Sequence, residues 1–309
     1  MTSLPSLALS LLAASAPILA SLHPRASTNQ TLISDINVIS HYWGQVSAYA
    51  DNPENYFGVN DVGLPDGCQI ESVSTLQRHA NRFPTSYIDD GVNDENFAAK
   101  VANYTAAHSA RFTGPLAFLN SYTYIMGESL LTGLGAATEF DSGIAFWNRY
   151  GRTLYDAKIA QLAYNASYAN GTARPKPVLR TTSQARIQNS QINWALGFFG
   201  PSFQATPNPA LTNFTDLFDV VIIPEGGTEN NTLASYDSCF NDFISGIGDL
   251  GDLDLYLYLP KYLANATARL QTYAPSGFTL NYNDTYAMQS ICAYEQVRYE
   301  YCKRFQAVS

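Results

Sequence analysis

The sequence has 309 residues, of which 46% are hydrophobic, and its formal charge is −9. That length suffices for one large domain or two smaller ones, and the apolar content excludes a globally disordered chain. Lys and Arg total 17 against 26 acidic residues. A non-specific nucleic-acid binder needs a basic face, so this composition disfavours a nucleic-acid partner. An acidic chain that binds an anion must bring its few cations together at one site.

The N-terminus has the features of an export signal. Residues 7–20 (LALSLLAASAPILA) are apolar, rich in small side chains and too short to span a bilayer. Cleavage after Ala20 makes residues 1–20 a signal peptide and 21–309 the mature domain, secreted and extracellular. A buried N-terminal helix is the alternative. No later segment has a long uncharged apolar run, so no membrane partner is expected.

Eight N-x-S/T sequons support export, since each occupied asparagine must lie on the surface. We therefore expect N-linked glycans. The four cysteines form no C-x-x-C pair, which favours disulfides over a zinc site and leaves three complete pairings open. The sequon asparagines are Asn29, Asn103, Asn165, Asn170, Asn213, Asn230, Asn265 and Asn283.

The first predicted elements are a polar entry segment, a strand and a helical region. Residues 21–67 are polar and rich in Asn, Gly, Pro and Asp, and Ile70–Gln77 (IESVSTLQ) has the pattern of a strand. Residues 94–170 are predicted to form a smaller helical insertion, with amphipathic stretches at 96–110 and 136–150.

A β-α-β pattern follows in the middle of the chain. Pro177–Arg180 predicts a short strand, and the hydroxyls of residues 181–183 offer helix N-caps. Apolar side chains at helical spacing follow up to Phe199, and Phe218–Ile223 (FDVVII) predicts a buried strand. Strand, helix and strand in this order imply a parallel pair, so the predicted fold class is α/β, a parallel-rich sheet flanked by helices.

Two of these predicted strands end in arginine. Ile70–Gln77 runs into Arg78-His79, and the strand that starts at Pro177 ends at Arg180. Ligands of open parallel sheets bind beyond the carboxyl ends of the strands. If the two strands are neighbours, their arginines form a cationic pocket suited to phosphate.

The stretch Arg78-His79-Ala80-Asn81-Arg82-Phe83-Pro84 carries the chemistry. A neutral imidazole at His79 can attack phosphorus and form a phosphohistidine that water then hydrolyses. Flanking guanidiniums hold the phosphoryl oxygens and neutralise the charge of the transition state, so neither a metal nor a cofactor is required. A surface loop with an incidental histidine is the alternative interpretation.

The R-H-x-x-R-x-P pattern resembles the histidine acid phosphatases, in particular their fungal phytase and acid phosphatase branch. His41-Tyr42-Trp43-Gly44, the run from Val178 to Ser183, and Cys292-Ala293-Tyr294-Glu295 extend the resemblance. It implies that His79 is the nucleophile and that Arg78, Arg82 and Arg180 are phosphate ligands. It also implies a metal-free hydrolase of phosphomonoesters at acid pH, some members acting on inositol hexakisphosphate.

The chain also departs from that family. Members carry a later His-Asp or His-Ala-Glu motif whose acid protonates the leaving oxygen, whereas no histidine follows His108 here. We therefore expect that the C-terminal part of the fold is missing. The alternative to an active phosphatase is a truncated, non-catalytic fragment. A secreted glycan-binding protein is a third hypothesis, prompted by the 21 tyrosines, but it does not explain the arginine-histidine motif.

Other candidates receive simpler interpretations. His41 is expected to be structural, His108 exposed, and Glu295 a solvated carboxylate. Arg186 is expected to lie on a helix and to fall short of the phosphate.

The resemblance also bears on the cysteines. Cys239 and Cys292 both fall in the part that matches the family and are expected to pair. Cys68 is expected either to be unpaired or to pair with Cys302.

Overall fold

The computed structural model describes residues 35–47, 66–85, 89–161, 164–200, 217–226 and 230–299. The predicted signal peptide lies outside these residues, as does most of the polar entry segment. All described residues belong to one compact unit. In chain order the helices and strands are α1 (Ile36–Ile39), α2 (Asp89–Ala107), α3 (Gly133–Phe146), α4 (Arg152–Leu154), β1 (Val178–Thr182), α5 (Ala185–Phe199), β2 (Asp219–Ile223), α6 (Ser235–Ser238), α7 (Leu250–Tyr262), α8 (Ala264–Gln271) and α9 (Tyr282–Tyr299).

The β-α-β prediction is confirmed. β1 and β2 pair in parallel, with Val178 opposite Asp219 and Thr182 opposite Ile223. Helix α5 connects them, as a parallel pair requires a crossover. The α/β fold class is therefore correct, although the sheet has two strands in the part of the chain that the structure describes.

Two details of this unit differ from the prediction. β2 is not buried, since Ile222 is 51% exposed. The N-cap of α5 is Gln184, whose side chain makes no capping bond. Ser183, one of the expected caps, instead accepts a hydrogen bond from the backbone N–H of Glu225 at 3.0 Å. That contact ties the end of β1 to the loop after β2.

The predicted strand Ile70–Gln77 is wrong. The segment has no strand pairing, and Leu76 is 84% exposed. Alternating apolar residues meet the local requirement for a strand, but a strand also needs a neighbour that completes its ladder of hydrogen bonds. The described residues supply no such neighbour.

The helical region brings α3 directly against α5. α2, α3 and α4 lie in this region, together with a 3₁₀-helix at Gly114–Ser121 and a π-helical turn at Trp147–Gly151. A Cβ at Gly143 would collide with the Trp194 carbonyl oxygen, and a Cβ at Gly197 would collide with that of Phe140. The two helix backbones therefore touch, which fixes the position of α3 beside the β-α-β unit.

A separate apolar core joins α2 to α9. Its fully buried members include Phe97 and Val101 from α2 and Met288 and Ile291 from α9. Burial of such side chains stabilises a fold by about 1.5–3 kcal/mol each. This core holds α9 in place, and α9 in turn contributes to the cleft described below.

The expected Cys239–Cys292 pair is wrong. Cys239 is a free, exposed thiol beside α6, whereas Cys292 is buried in the core of α9 and is disulfide-bonded. Its partner lies outside the described residues. Cys68 is free, which agrees with one of the two expectations for it.

None of the helices within the described ranges is long and apolar enough to cross a bilayer.

Candidate active site

A cleft of about 140 Å³ brings three separate segments together. Its lining consists of residues 45–47, the motif residues 78–82, and Ala293 and Tyr294 of α9. His79, Arg78 and Arg82, the residues that the motif singled out, all line this cleft. Arg180 does not.

The imidazole of His79 is half-buried and held in one tautomer. Its Nδ1 lies 2.8 Å from the carbonyl oxygen of Ala80. A carbonyl oxygen only accepts hydrogen bonds, so Nδ1 must carry the proton. In the neutral ring the lone pair therefore resides on Nε2.

Burial lowers the pKa of His79 from 6.5 to about 4. The Ala80 hydrogen bond opposes this shift, while the positive charges of Arg82, Arg186 and Arg78 add to it. Burial and the neighbouring guanidinium charges both disfavour a further positive charge on the imidazole. His79 is consequently neutral at pH 5 and keeps its Nε2 lone pair under acid conditions.

The two arginines of the motif are anchored to backbone carbonyls. Nη1 of Arg78 donates to the Gln45 oxygen at 2.8 Å, and Nη1 of Arg82 donates to the Phe83 oxygen at 2.8 Å. The Arg82 guanidinium also lies 6.0 Å from the ring centre of Tyr294. Each guanidinium group has five N–H donors, so these contacts leave donors for an anion in the cleft.

Helix α3 and the turn before it support the motif. The Asn81 carbonyl accepts hydrogen bonds from the Thr132 N–H at 2.9 Å and from its hydroxyl at 3.0 Å. The Thr132 hydroxyl also caps α3 by accepting from the Gly135 N–H at 3.0 Å. A Cβ at Gly135 would collide with the Asn81 carbonyl oxygen. The start of α3 and the motif are therefore locked together.

Arg186 is a third cation near His79, and sequence reasoning gave it little weight. It lies in the first turn of α5, where Nη1 is 3.5 Å from the carbonyl oxygen of Ser129. Its charge is one of the three that lower the pKa of His79. Arg180 is exposed on β1 and is not among those three. A helical position six residues after Arg180 gave no signal that Arg186 lies near His79.

Two buried carboxyl groups also lie close to this site. Glu295, which we expected to be solvated, is 6% exposed because α9 packs it inward beside Tyr294. Glu139 on α3 is 2% exposed and accepts a hydrogen bond from the side chain of Gln77. Sequence reasoning did not single out Glu139, because its neighbour Gln77 is 62 residues away in the chain.

The two other histidines among the described residues lie apart from the cleft lining. His41 is exposed in a 3₁₀ turn. His108 is exposed, as predicted, and stacks on Tyr104 with ring centres 4.3 Å apart. Among the described residues there is no cluster of three or more His, Cys, Asp and Glu side chains that could hold a metal ion.

Comparison with known proteins identifies the family. The model of the histidine phosphatase superfamily, branch 2, matches residues 69–307. The chain belongs to this family. It is similar to phytase A of Neurospora crassa, with 26% identity over 264 residues, and to the acid phosphatase of Schizosaccharomyces pombe, with 28% identity over 263 residues. The resemblance inferred from the motif is confirmed.

The matches cover much more of this chain than of its relatives. The Neurospora alignment takes in 84% of this chain and 46% of that protein, and the Schizosaccharomyces alignment takes in 82% and 51%. A crystal structure of the phytase from D. castellii matches with a TM-score of 0.60 at 22% identity, over 81% of this chain and 49% of that one. That likeness shows a shared fold, and the chain spans about half the length of the curated relatives it matches.

Proposed function

We propose that this protein is a secreted acid phosphatase that hydrolyses phosphomonoesters through a phosphohistidine at His79. The observation that carries this proposal is the state of the imidazole in the cleft. His79 has a depressed pKa and a proton fixed on Nδ1, and guanidinium charges surround it. A neutral nucleophile beside fixed cations is the arrangement that phosphoryl transfer from an anionic ester requires.

The reaction proceeds in two displacements. Arg78 and Arg82 bind the phosphate oxygens, and on the family resemblance Arg180 joins them. Nε2 of His79 attacks phosphorus, and the P–O bond to the alcohol breaks as the N–P bond forms. The leaving oxygen takes a proton from solvent water and departs as the alcohol. Water then attacks phosphorus and gives up a proton to the solvent, the N–P bond breaks, and inorganic phosphate leaves with His79 restored.

The substrate class follows from the cations and from the relatives. Several relatives are named phytase A and one is named acid phosphatase. We therefore propose small phosphomonoesters as substrates, with inositol hexakisphosphate as a candidate. The proposed chemistry uses no cofactor and no metal, because the guanidiniums supply the positive charge.

Export and glycosylation belong to the same proposal. The six sequon asparagines among the described residues are all exposed, so glycans could be attached without disturbing the core. Together with the signal peptide predicted at residues 1–20, this exposure supports a secreted glycoprotein. The six are Asn103, Asn165, Asn170, Asn230, Asn265 and Asn283.

The test is hydrolysis of p-nitrophenyl phosphate at pH 5 by the wild type, His79→Ala and His108→Ala. This substrate is suitable because its leaving group departs without a proton donor. We expect His79→Ala to lower kcat/KM at least about 1,000-fold, as loss of a nucleophile does elsewhere. The exposed His108 serves as the matched control and should leave the rate unchanged.

The outcomes separate the two hypotheses. Hydrolysis that survives in His79→Ala contradicts the assigned nucleophile. A folded wild type that binds inorganic phosphate without turnover supports the alternative, a non-catalytic phosphatase-like fragment.

A further inference from the structure

Glu139 is a buried carboxyl group that the proposed reaction does not use. It lies on α3 with 2% of its surface exposed, and its Oε2 accepts a hydrogen bond from Nε2 of Gln77. The Gln77 amide oxygen in turn accepts from the Ser142 hydroxyl at 3.0 Å, one turn further along α3. Gln77 is thus held on α3 by both ends of its amide, and the next residues in the chain are Arg78 and His79.

The same carboxyl group contacts the chain on the other side of the nucleophile. The Ala80 backbone lies near enough to stabilise the carboxylate form of Glu139. Glu139 therefore hydrogen-bonds to the residue two positions before His79 and lies beside the residue directly after it. It does not line the cleft, so a bound phosphate ester would meet the backbone that Glu139 holds rather than Glu139 itself.

The surroundings of Glu139 favour its neutral form. Oε1 is buried and lacks a hydrogen bond of normal geometry to any described residue. Burial raises the pKa of Glu139 to about 7, against the opposing effects of the Ala80 N–H, the Ser190 hydroxyl and the Arg78 charge. Arg78 is the charged group that acts on it, while α5 presents the uncharged Ser190 and α3 itself presents Ser142. At acid pH the group is therefore protonated.

We propose that Glu139 is a positioning residue that holds the backbone on both sides of His79 and, when it ionises, weakens the binding of the phosphate group. The inference rests on the phosphatase function proposed above. A neutral carboxyl keeps its contacts with Gln77 and Ala80 and adds no charge to the site. A carboxylate behind the motif attracts Arg78 and competes with the substrate for that positive charge.

Two substitutions separate the two parts of this role. Glu139→Gln keeps the shape and an oxygen acceptor but removes the charge, whereas Glu139→Ala removes the contacts. With p-nitrophenyl phosphate between pH 4 and 8.5, we expect the Gln variant to keep kcat within about twofold at pH 5. In the pH profile of kcat/KM, the alkaline limb of this variant should lie at higher pH than that of the wild type. The Ala variant should lose at least about tenfold in kcat with little change in KM, because it misplaces the nucleophile.

Glu128→Gln is the matched control, since Glu128 is an exposed residue shortly before the start of α3 in the chain. It should reproduce the wild-type pH profile. An alkaline limb that is identical in the wild type and Glu139→Gln, or a Glu139→Ala enzyme as fast as the wild type, would overturn the proposal.

A second measurement does not depend on turnover. Inorganic phosphate binding is measured by calorimetry at pH 6 and pH 8 for the wild type and Glu139→Gln. The phosphate itself titrates equally in both experiments, so we expect affinity to fall more between these pH values in the wild type. Equal falls contradict the inference. If the wild type binds phosphate in this manner but hydrolyses nothing, the proposed function fails while the effect of the Glu139 charge stands.

Discussion

The charge state of His79 depends on where its ring is buried. Burial is the largest cause of its lowered pKa, and the nearby guanidiniums act in the same direction. A free histidine is mostly protonated at pH 5 and has no lone pair to attack with. The cleft reverses this, so that the lone pair needed for the proposed nucleophilic attack remains available at pH 5.

Arg186 and Arg180 are expected to have separable effects on the pH profile. Arg186→Ala removes a charge that lowers the pKa of His79, so that pKa should rise toward 6.5 and the acid limb of kcat/KM should move to higher pH. Arg180→Ala should raise KM and leave the acid limb in place, because Arg180 is not among the charges that act on His79. The measurement is the pH dependence of p-nitrophenyl phosphate hydrolysis. Identical acid limbs for the wild type and Arg186→Ala would contradict this assignment.

The motif predicted the centre of the site but not its surroundings. Arg78, His79 and Arg82 are close together in sequence, so a short pattern was enough to place them in one cleft. Tyr294 reaches the same cleft through the packing of α9, and Arg186 and Glu139 come close to the motif through the packing of α5 and α3. Long-range contacts of this kind leave no local pattern in the sequence.

Helix α3 supports the motif that contains His79. Its capping residue Thr132 binds the Asn81 carbonyl, and Gly135 allows that carbonyl to approach the helix backbone. The same helix contacts α5 through Gly143. The position of the motif therefore depends on two glycines that permit close approach on either side of α3.

The substitution Gly135→Ala tests whether α3 positions the motif. The added methyl group meets a backbone oxygen that cannot move without shifting Asn81, so we expect kcat to fall at least about tenfold. Gly133→Ala is the matched control on the same helix, because no atom lies within 4 Å of its added Cβ. Steady-state kinetics on p-nitrophenyl phosphate give the comparison. Equal rates for the two variants would show that α3 does not set the geometry of the motif.

Local pattern explains which elements were predictable. β1, α5 and β2 follow one another closely, and their periodicity alone gave the parallel pair. The segment Ile70–Gln77 carries a strand pattern as well, but pairing depends on a neighbour from elsewhere in the chain. The expected Cys239–Cys292 pair was wrong for the same reason, since the sequence gave no sign that Cys239 is exposed and Cys292 is buried.

The stability of the whole molecule depends on pH through His79 and Glu139, and the two shifted pKa values act in opposite directions. His79 has a lower pKa in the fold than the ordinary 6.5, so its contribution falls as pH drops from 6.5 toward 4. Glu139 has a pKa raised from 4.5 to about 7, so its contribution falls as pH rises through that range. Between pH 4.5 and 6.5 the two slopes oppose each other. The combined contribution of His79 and Glu139 to the stability of the fold is therefore greatest in mildly acid solution.

The chain spans about half of its curated relatives, yet the described residues assemble one cleft from three separate segments. The central claim is that His79 in this cleft becomes phosphorylated. The direct measurement is to mix the protein with ³²P-labelled p-nitrophenyl phosphate at pH 5, quench in alkali and locate the label by peptide mapping. We expect an alkali-stable, acid-labile label on the peptide that contains His79, and none in His79→Ala. Label on another residue, or turnover in His79→Ala, would contradict it.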